Sequence, residues 1–239
     1  MKKLRLILSP YFLSKYYILR DVKIILKKYS FTGTVLDVGC GEKPYKKYFT
    51  KVKNYDGIDF KNYSRNKDFI AHKPDLFFPK SYLESFELPF QDNYYNAVVT
   101  FQVLEHHKKP MKLISEINRI VKPGGYVLLT VPFLGGVHER PHDYQRYTEY
   151  GLKELFSTNN LNILEIMTQG SVFSTISLLL NEALNSFASK GKIYYLFSVI
   201  LYVPLFIFQH ICIPLDKIVK SDNVVFNYLI LAEKPRNVQ

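Results

Sequence analysis

Residues Thr34 to Tyr45 read Thr-Val-Leu-Asp-Val-Gly-Cys-Gly-Glu-Lys-Pro-Tyr, an apolar strand that runs through Asp37 into a Gly-x-Gly turn. A second strand follows and ends in an acid, Tyr55-Asp56-Gly57-Ile58-Asp59. No other feature constrains the fold as much. Glycines after a strand let the backbone approach a ligand closely and adopt conformations closed to other residues. An acid about twenty residues further on suits a ribose diol. The pair predicts an α/β sheet that binds a nucleoside cofactor at its strand ends.

The turn separates two cofactor classes. A dinucleotide site requires a third glycine, so that a helix N-terminus can receive the pyrophosphate. Here Gly39-x-Gly41 is followed by Glu42, Lys43 and Pro44. Asp37, two residues before the first glycine, is also badly placed beside a pyrophosphate and well suited to a ligand carrying an ammonium group. Both points favour S-adenosylmethionine over NAD.

The segments beyond the turn are consistent with this. Ala97 to Phe101 is a continuous apolar, β-branched run, as expected of a central parallel strand. Pro110 suits the first turn of a helix. Leu113, Ile117, Ile120 and Val121 recur at helical spacing before Pro123-Gly124-Gly125, which is expected to end that helix. Tyr126 to Val131 reads as the next strand, so strands and helices alternate as in a doubly wound domain. The ligand then belongs at the carboxyl ends of the strands.

From Thr34 to Thr168 the sequence resembles the class I S-adenosylmethionine-dependent methyltransferases. The resemblance rests on Asp37-Val38-Gly39-Cys40-Gly41 and Asp59, on Leu88-Pro89-Phe90 before Asn96 to Phe101, on Val103-Leu104-Glu105-His106, and on Ile120-Val121-Lys122-Pro123-Gly124-Gly125, in the family's order. It implies a Rossmann-like, doubly wound, seven-stranded sheet with an antiparallel last strand. It further implies that Asp37, Gly39, Cys40 and Gly41 line the methionine part of the cofactor and that Asp59 accepts from the ribose hydroxyls. Phe101 and Gln102 would flank the cofactor, and Glu84 would address the adenine amino group.

A second signature closes the fifth strand, Val131-Pro132-Phe133, and continues as Val137-His138-Glu139-Arg140-Pro141-His142-Asp143-Tyr144-Gln145-Arg146-Tyr147-Thr148. It is similar to the loop of methyltransferases associated with cell-surface polysaccharide and glycan biosynthesis. A hydroxyl acceptor needs a base, and His106, His138 and His142 are candidates because histidine titrates near neutral pH. Glu139 or Asp143 can orient one of them, and the fork of Arg146 suits an acceptor phosphate or carboxylate. A structural lid is the alternative role for this loop. No metal-ligand spacing supports a site at His138, His142 and Asp143.

Between the sixth strand, Asn162 to Thr168, and a seventh, Val224 to Leu231, lies an insertion containing Val172 to Leu180 and a run without a charged residue from Ile193 to Leu215. That run approaches the length of a membrane span, about twenty residues. A single crossing would put the seventh strand on the wrong side of the membrane from its sheet. Pro204, Pro214, Gln209 and His210 instead predict a kinked helix that enters one leaflet and returns, or two short interfacial helices. Tyr194, Tyr195 and Tyr202 suit the headgroup boundary. A soluble subdomain over the acceptor pocket, or a dimer interface, is the alternative. The expected organisation is basic cap helices over 1–32, a methyltransferase domain over 33–170 plus 223–235, and an apolar helical insertion over 171–222.

The net charge of +11 calls for a partner or a solvated face. Lys2, Lys3, Arg5, Lys15, Arg20, Lys23, Lys27 and Lys28 interleave with Tyr11, Phe12, Tyr16, Tyr17 and Ile18, a pattern suited to an anionic membrane surface or to phosphate backbones. No RNA-binding module is recognisable, so nucleic acid is not the expected partner. Cys40 and Cys212 are the only cysteines, which fits a reducing compartment. The start lacks a cleavage pattern and reads as retained. The expectation is therefore a cytoplasmic enzyme, peripheral at the inner face of the membrane, acting on a glycan or lipid-linked cell-envelope intermediate. The alternatives are methylation of RNA or of a small isoprenoid or quinone-type molecule, and a non-catalytic cofactor-binding scaffold.

Overall fold

The computed structural model describes residues 11–60, 74–79 and 85–236. Glu84 and the basic residues Lys2, Lys3 and Arg5 lie outside the described residues. Helix α1 (Phe12–Lys28) leads into β1 (Gly33–Val38) and β2 (Val52–Asp59), followed by the short β3 (Leu76–Phe77). Next come β4 (Tyr95–Phe101), α2 (Pro110–Ile120), β5 (Val121–Pro132), α3 (Glu149–Thr158) and β6 (Asn162–Gln169). Helices α4 (Val172–Ala188) and α5 (Lys192–Ile218) precede the last strand, β7 (Asn227–Glu233).

The strands form one seven-stranded sheet in the order β3-β2-β1-β4-β5-β7-β6. Strands β1 to β5 pair in parallel, with Asp37 opposite both Gly57 and Val99. The last strand runs the other way. At one end of β5, Gly124 N donates to Lys234 O (2.8 Å) and Lys234 N to Gly125 O (3.0 Å). At the other end, Phe133 N donates to Phe226 O (2.8 Å), so the numbering along the two strands is opposed. The central strands are apolar because both faces are covered: Val35, Leu36, Val98 and Val99 are fully buried. Leu113, Ile117 and Ile120 form the inward stripe of α2, and all three are also fully buried. Each such side chain contributes about 1.5 to 3 kcal/mol.

The chain forms two compact units. The larger comprises the described residues of Val22–Val131, Glu139–Ile166 and Leu229–Gln239 and holds the parallel strands. The smaller comprises those of Met1–Asp21, Pro132–His138 and Met167–Tyr228, and includes α4 and α5.

Three expectations need correction. Helix α2 stops at Ile120, before the Pro-Gly-Gly triplet, and Val121 is already extended (φ −79°, ψ 140°). Lys122 precedes a proline, which disfavours helical conformation, and Gly124 at φ +75° lets the triplet join the edge of β5. Within the uncharged run there are not two short helices. Helix α5 is continuous from Lys192 to Ile218 with Pro204 and Pro214 inside it, and the second helix of the insertion is α4. In α1, Phe12, Leu13, Tyr17 and Ile18 are buried and Tyr16 is half-buried, so of the aromatic residues of the basic stretch Tyr11 alone is exposed, and the lysines make up the outer face.

Candidate active site

The carboxyl ends of β1, β2 and β4 in the larger unit bring the predicted cofactor residues together. Gly39 has φ +70°, and a side chain there would come within 2.4 Å of Val103 Cγ2. This position admits only glycine. Gly41 has φ +49° and open space where a Cβ would stand, leaving a cradle beside the backbone. Its amide donates to Asp59 Oδ2 (2.6 Å), and Phe60 N donates to Asp59 Oδ1 (2.7 Å). The acid ending β2 thus anchors the glycine turn in addition to any ligand it receives. Burial raises the Asp59 pKa; the two amides oppose this, and the charge of Glu139 adds to it.

Asp37 is almost wholly buried and accepts a hydrogen bond from Tyr55 Oη at Oδ2 (2.7 Å). Its other oxygen, Oδ1, has no hydrogen-bond partner. Burial pushes its pKa up to about 7, against the Tyr55 hydrogen bond and with help from Asp59. A buried carboxylate oxygen lacking a donor is costly, and a cationic ligand would satisfy it. Phe101, at the end of β4, lies 4.2 Å from the ring of Tyr45, centroid to centroid. Gln102 has φ +57° and is tied down by its amide to Thr130 O (3.0 Å) and by its side chain to Thr130 Oγ1 (3.1 Å). The Cys40 side chain is buried on the side of Gly57, where an added Cβ would lie 2.6 Å from its sulfur. The unpartnered oxygen, the open cradle and the aromatic pair suit S-adenosylmethionine, with its ammonium, sulfonium and adenine groups.

The candidate acid–base residues stand next to this pocket. Beyond β4, Val103 packs on Gly39 and leads into a 3₁₀ turn, Leu104–His106. His106 Nε2 lies 3.7 Å from Glu105 Oε1 and 3.8 Å from Glu139 Oε2, and its Nδ1 is 2.7 Å from His142 O. Glu105 is fully buried, and burial pushes its pKa up to about 8. His142 pairs through Nδ1 with Tyr144 Oη (3.1 Å), and Tyr144 N donates to Glu105 O (2.9 Å), so the loop is stitched to the turn. Asp143 receives both terminal nitrogens of Arg146 (2.6 and 2.7 Å), a fork–fork pair. His138 belongs to the smaller unit, where its Nδ1 is 3.3 Å from Gly136 O.

Several residues here carry no role in the sequence reading. Glu105 stands inside a recognised motif, but only the fold shows that it is buried against His106. Tyr45 closes the glycine turn, and an aromatic ring just past such a turn is a signal that sequence can supply. Lys43, itself buried, forms an ion pair with the exposed Asp75 (2.7 Å), and Asp75 also accepts from Gly57 N (2.7 Å), which braces the turn. That contact joins residues far apart in the chain and leaves no local pattern.

A methyltransferase-domain family model matches residues 13–166, nearly two thirds of the chain. An uncharacterised methyltransferase of Schizosaccharomyces pombe is 30% identical over 132 residues, covering 51% of this chain and 48% of that protein. A phthiotriol/phenolphthiotriol dimycocerosates methyltransferase of Mycobacterium ulcerans is 28% identical over 100 residues, covering 40% and 36%. The chain thus matches about half or less of the length of these relatives. Among solved structures, phosphoethanolamine N-methyltransferase 2 of Haemonchus contortus, in complex with S-adenosyl-L-methionine, superposes with a TM-score of 0.52 at 20% identity, covering 90% of this chain and 53% of that one. With the family model spanning the cofactor turn, strands β1 to β5 and the loop from His138 to Thr148, the chain belongs to the S-adenosylmethionine-dependent methyltransferases.

Proposed function

We propose that this protein transfers a methyl group to a hydroxyl of a glycan or lipid-linked cell-envelope intermediate at the inner face of the membrane. The observation that carries this reading is the adjacency of acid–base groups to the cofactor pocket: Val103 packs on Gly39 and leads directly into the turn that carries His106, whose Nε2 lies 3.8 Å from Glu139. Bound S-adenosylmethionine supplies an electrophilic methyl group on a cationic sulfur. Asp37 balances positive charge with its unpartnered oxygen, and Asp59 with the Gly41 turn holds the nucleoside end. His106, between Glu105 and Glu139, takes the proton of the acceptor hydroxyl, and Glu139 steadies the imidazolium that forms. Arg146, held rigid by Asp143, stands at the acceptor side as a cationic anchor.

The acceptor class is supported by the His138-to-Thr148 signature, by the exposed apolar surface of α5, and by the lipid substrate named for the mycobacterial relative. Mass spectrometry of lipid-linked intermediates and surface glycans from a deletion strain provides the test. A species lighter by one methylene, restored by the wild-type gene and not by Asp59→Ala, is the expected result. An unchanged envelope together with an undermethylated RNA would refute the acceptor assignment.

A further inference from the structure

The α4–α5 hairpin has its polarity reversed relative to a soluble helix pair. Ser174, Ser177 and Asn181 lie on one face of α4, and Ser198, Gln209 and Asp216 on one face of α5; all six are less than 9% exposed. Most of the side chains turned outward are apolar, with Asn185 and Ser186 of α4 as exposed polar exceptions towards the tip. Nine of the eleven residues from Ile193 to Val203, all but Ser198 and Tyr202, are exposed, from 40% at Tyr194 to 69% at Ile200. On α4, Ile176, Leu179 and Leu180 are exposed as well. A helix lying on an aqueous surface has one polar and one apolar face. The distal half of α5 presents apolar side chains in every outward direction and keeps its polar groups inside, the arrangement that lipid favours.

We infer that the α4–α5 hairpin is a one-sided membrane anchor, with the distal half of α5 immersed in the hydrocarbon of a single anionic leaflet. This role rests on the membrane-side function proposed above: the anchor tethers the enzyme to the leaflet that holds its acceptors. Lys190 and Lys192 border the apolar stretch at the hairpin tip, and Lys217 and Lys220 at its base. The charges at both ends complement lipid phosphates. Tyr194 and Tyr195, directly beyond Lys192, carry the aromatic character of the headgroup boundary. With lysines at both ends the helix lies shallow and the chain returns on the side from which it came.

The protein contains no tryptophan, so Ile200→Trp places a single reporter on the most exposed part of this surface. With vesicles of phosphatidylcholine and phosphatidylglycerol, the full-length variant should float. Its emission should shift to the blue, and bromines on the acyl chains should quench it at least twofold. Ile200→Lys should reduce the floated fraction at least tenfold. Because Cys40 and Cys212 are both buried, Lys190→Cys reports alone and should react with an impermeant maleimide added outside sealed vesicles. A reporter that stays water-exposed with vesicles would overturn the inference. So would one already buried in a dimer without lipid, or a Lys190→Cys that reacts only from the vesicle interior. Calorimetric titration of the same preparations with S-adenosylmethionine separates the two readings: intact cofactor binding with no flotation removes the anchor and leaves the methyltransferase assignment standing.

Discussion

Asp37 is the most informative single residue. Its carboxyl is held near pKa 7 by burial and keeps one oxygen without a donor. A cationic ligand favours the ionised form, so binding below pH 7 must expel a proton. Affinity for S-adenosylmethionine should rise as pH increases from about 5.5 to 7 and level off above that. Asp37→Asn should bind roughly ten- to a hundredfold more weakly, given about 1.5 to 3 kcal/mol for a charge-assisted hydrogen bond, with the pH slope lost. Calorimetry across that range checks both effects, and an unchanged slope in the variant would exclude Asp37 as the titrating group. His106 and Glu139 are the residues proposed to serve the other half of the reaction. His106→Ala should reduce turnover by roughly 10² to 10⁴ while leaving cofactor affinity within about twofold. Glu139→Gln should cost less, since it removes a charge 3.8 Å from the imidazole and not the base itself. Single-turnover methylation with labelled cofactor measures both.

Among the elements, those with strong local periodicity are legible in sequence. The β4 run from Ala97 to Phe101 and the α2 stripe of Leu113, Ile117 and Ile120 lie where their patterns predict. Boundaries set by partners elsewhere are not. The early stop of α2 follows from the pairing of Gly124 and Gly125 with Lys234, more than a hundred residues away. The continuity of α5 through two prolines is likewise invisible to a rule based on local propensity, because packing against α4 overrides it. Asp216 is the tie between these helices: its carboxylate accepts from Phe173 N (3.0 Å) and Ser174 N at the start of α4 and from Tyr17 Oη (3.1 Å). Asp216→Ala should therefore destabilise the smaller unit by about 1 to 3 kcal/mol. Thermal melting followed by circular dichroism, with and without S-adenosylmethionine, detects this as a lower first transition whose position the ligand leaves unchanged.

At the scale of the whole molecule, stability should fall as pH rises through the neutral range. Asp37 and Glu105, with folded values near 7 and 8, sit well above their unfolded values of roughly 4. Each holds its proton more tightly when folded, so its contribution is greatest in acid and declines until the group is ionised in both states. Asp75 and Glu116 have lowered values, so their contributions are lost only in stronger acid and do not counter this trend. The melting temperature of the free protein should decrease between pH 5.5 and 8, and saturating S-adenosylmethionine should flatten the decrease by neutralising Asp37. A free protein whose melting temperature rises over that interval would contradict these burial costs. The pocket residues on strand ends are readable from sequence because each adjoins a glycine or closes an apolar run. The acid–base cluster is only half readable, since Glu105 acquires its character from burial. The ends of the apolar insertion meet: Phe226 N donates to Gln169 O (3.2 Å), and a side chain at Gly170 would collide with the Phe226 ring at 2.2 Å. Chain therefore leaves the sheet and re-enters it through the same doorway between neighbouring strands. Whatever is spliced into that doorway can change without altering the strand order on either side, so relatives that share this chemistry are free to carry different postal addresses in the cell.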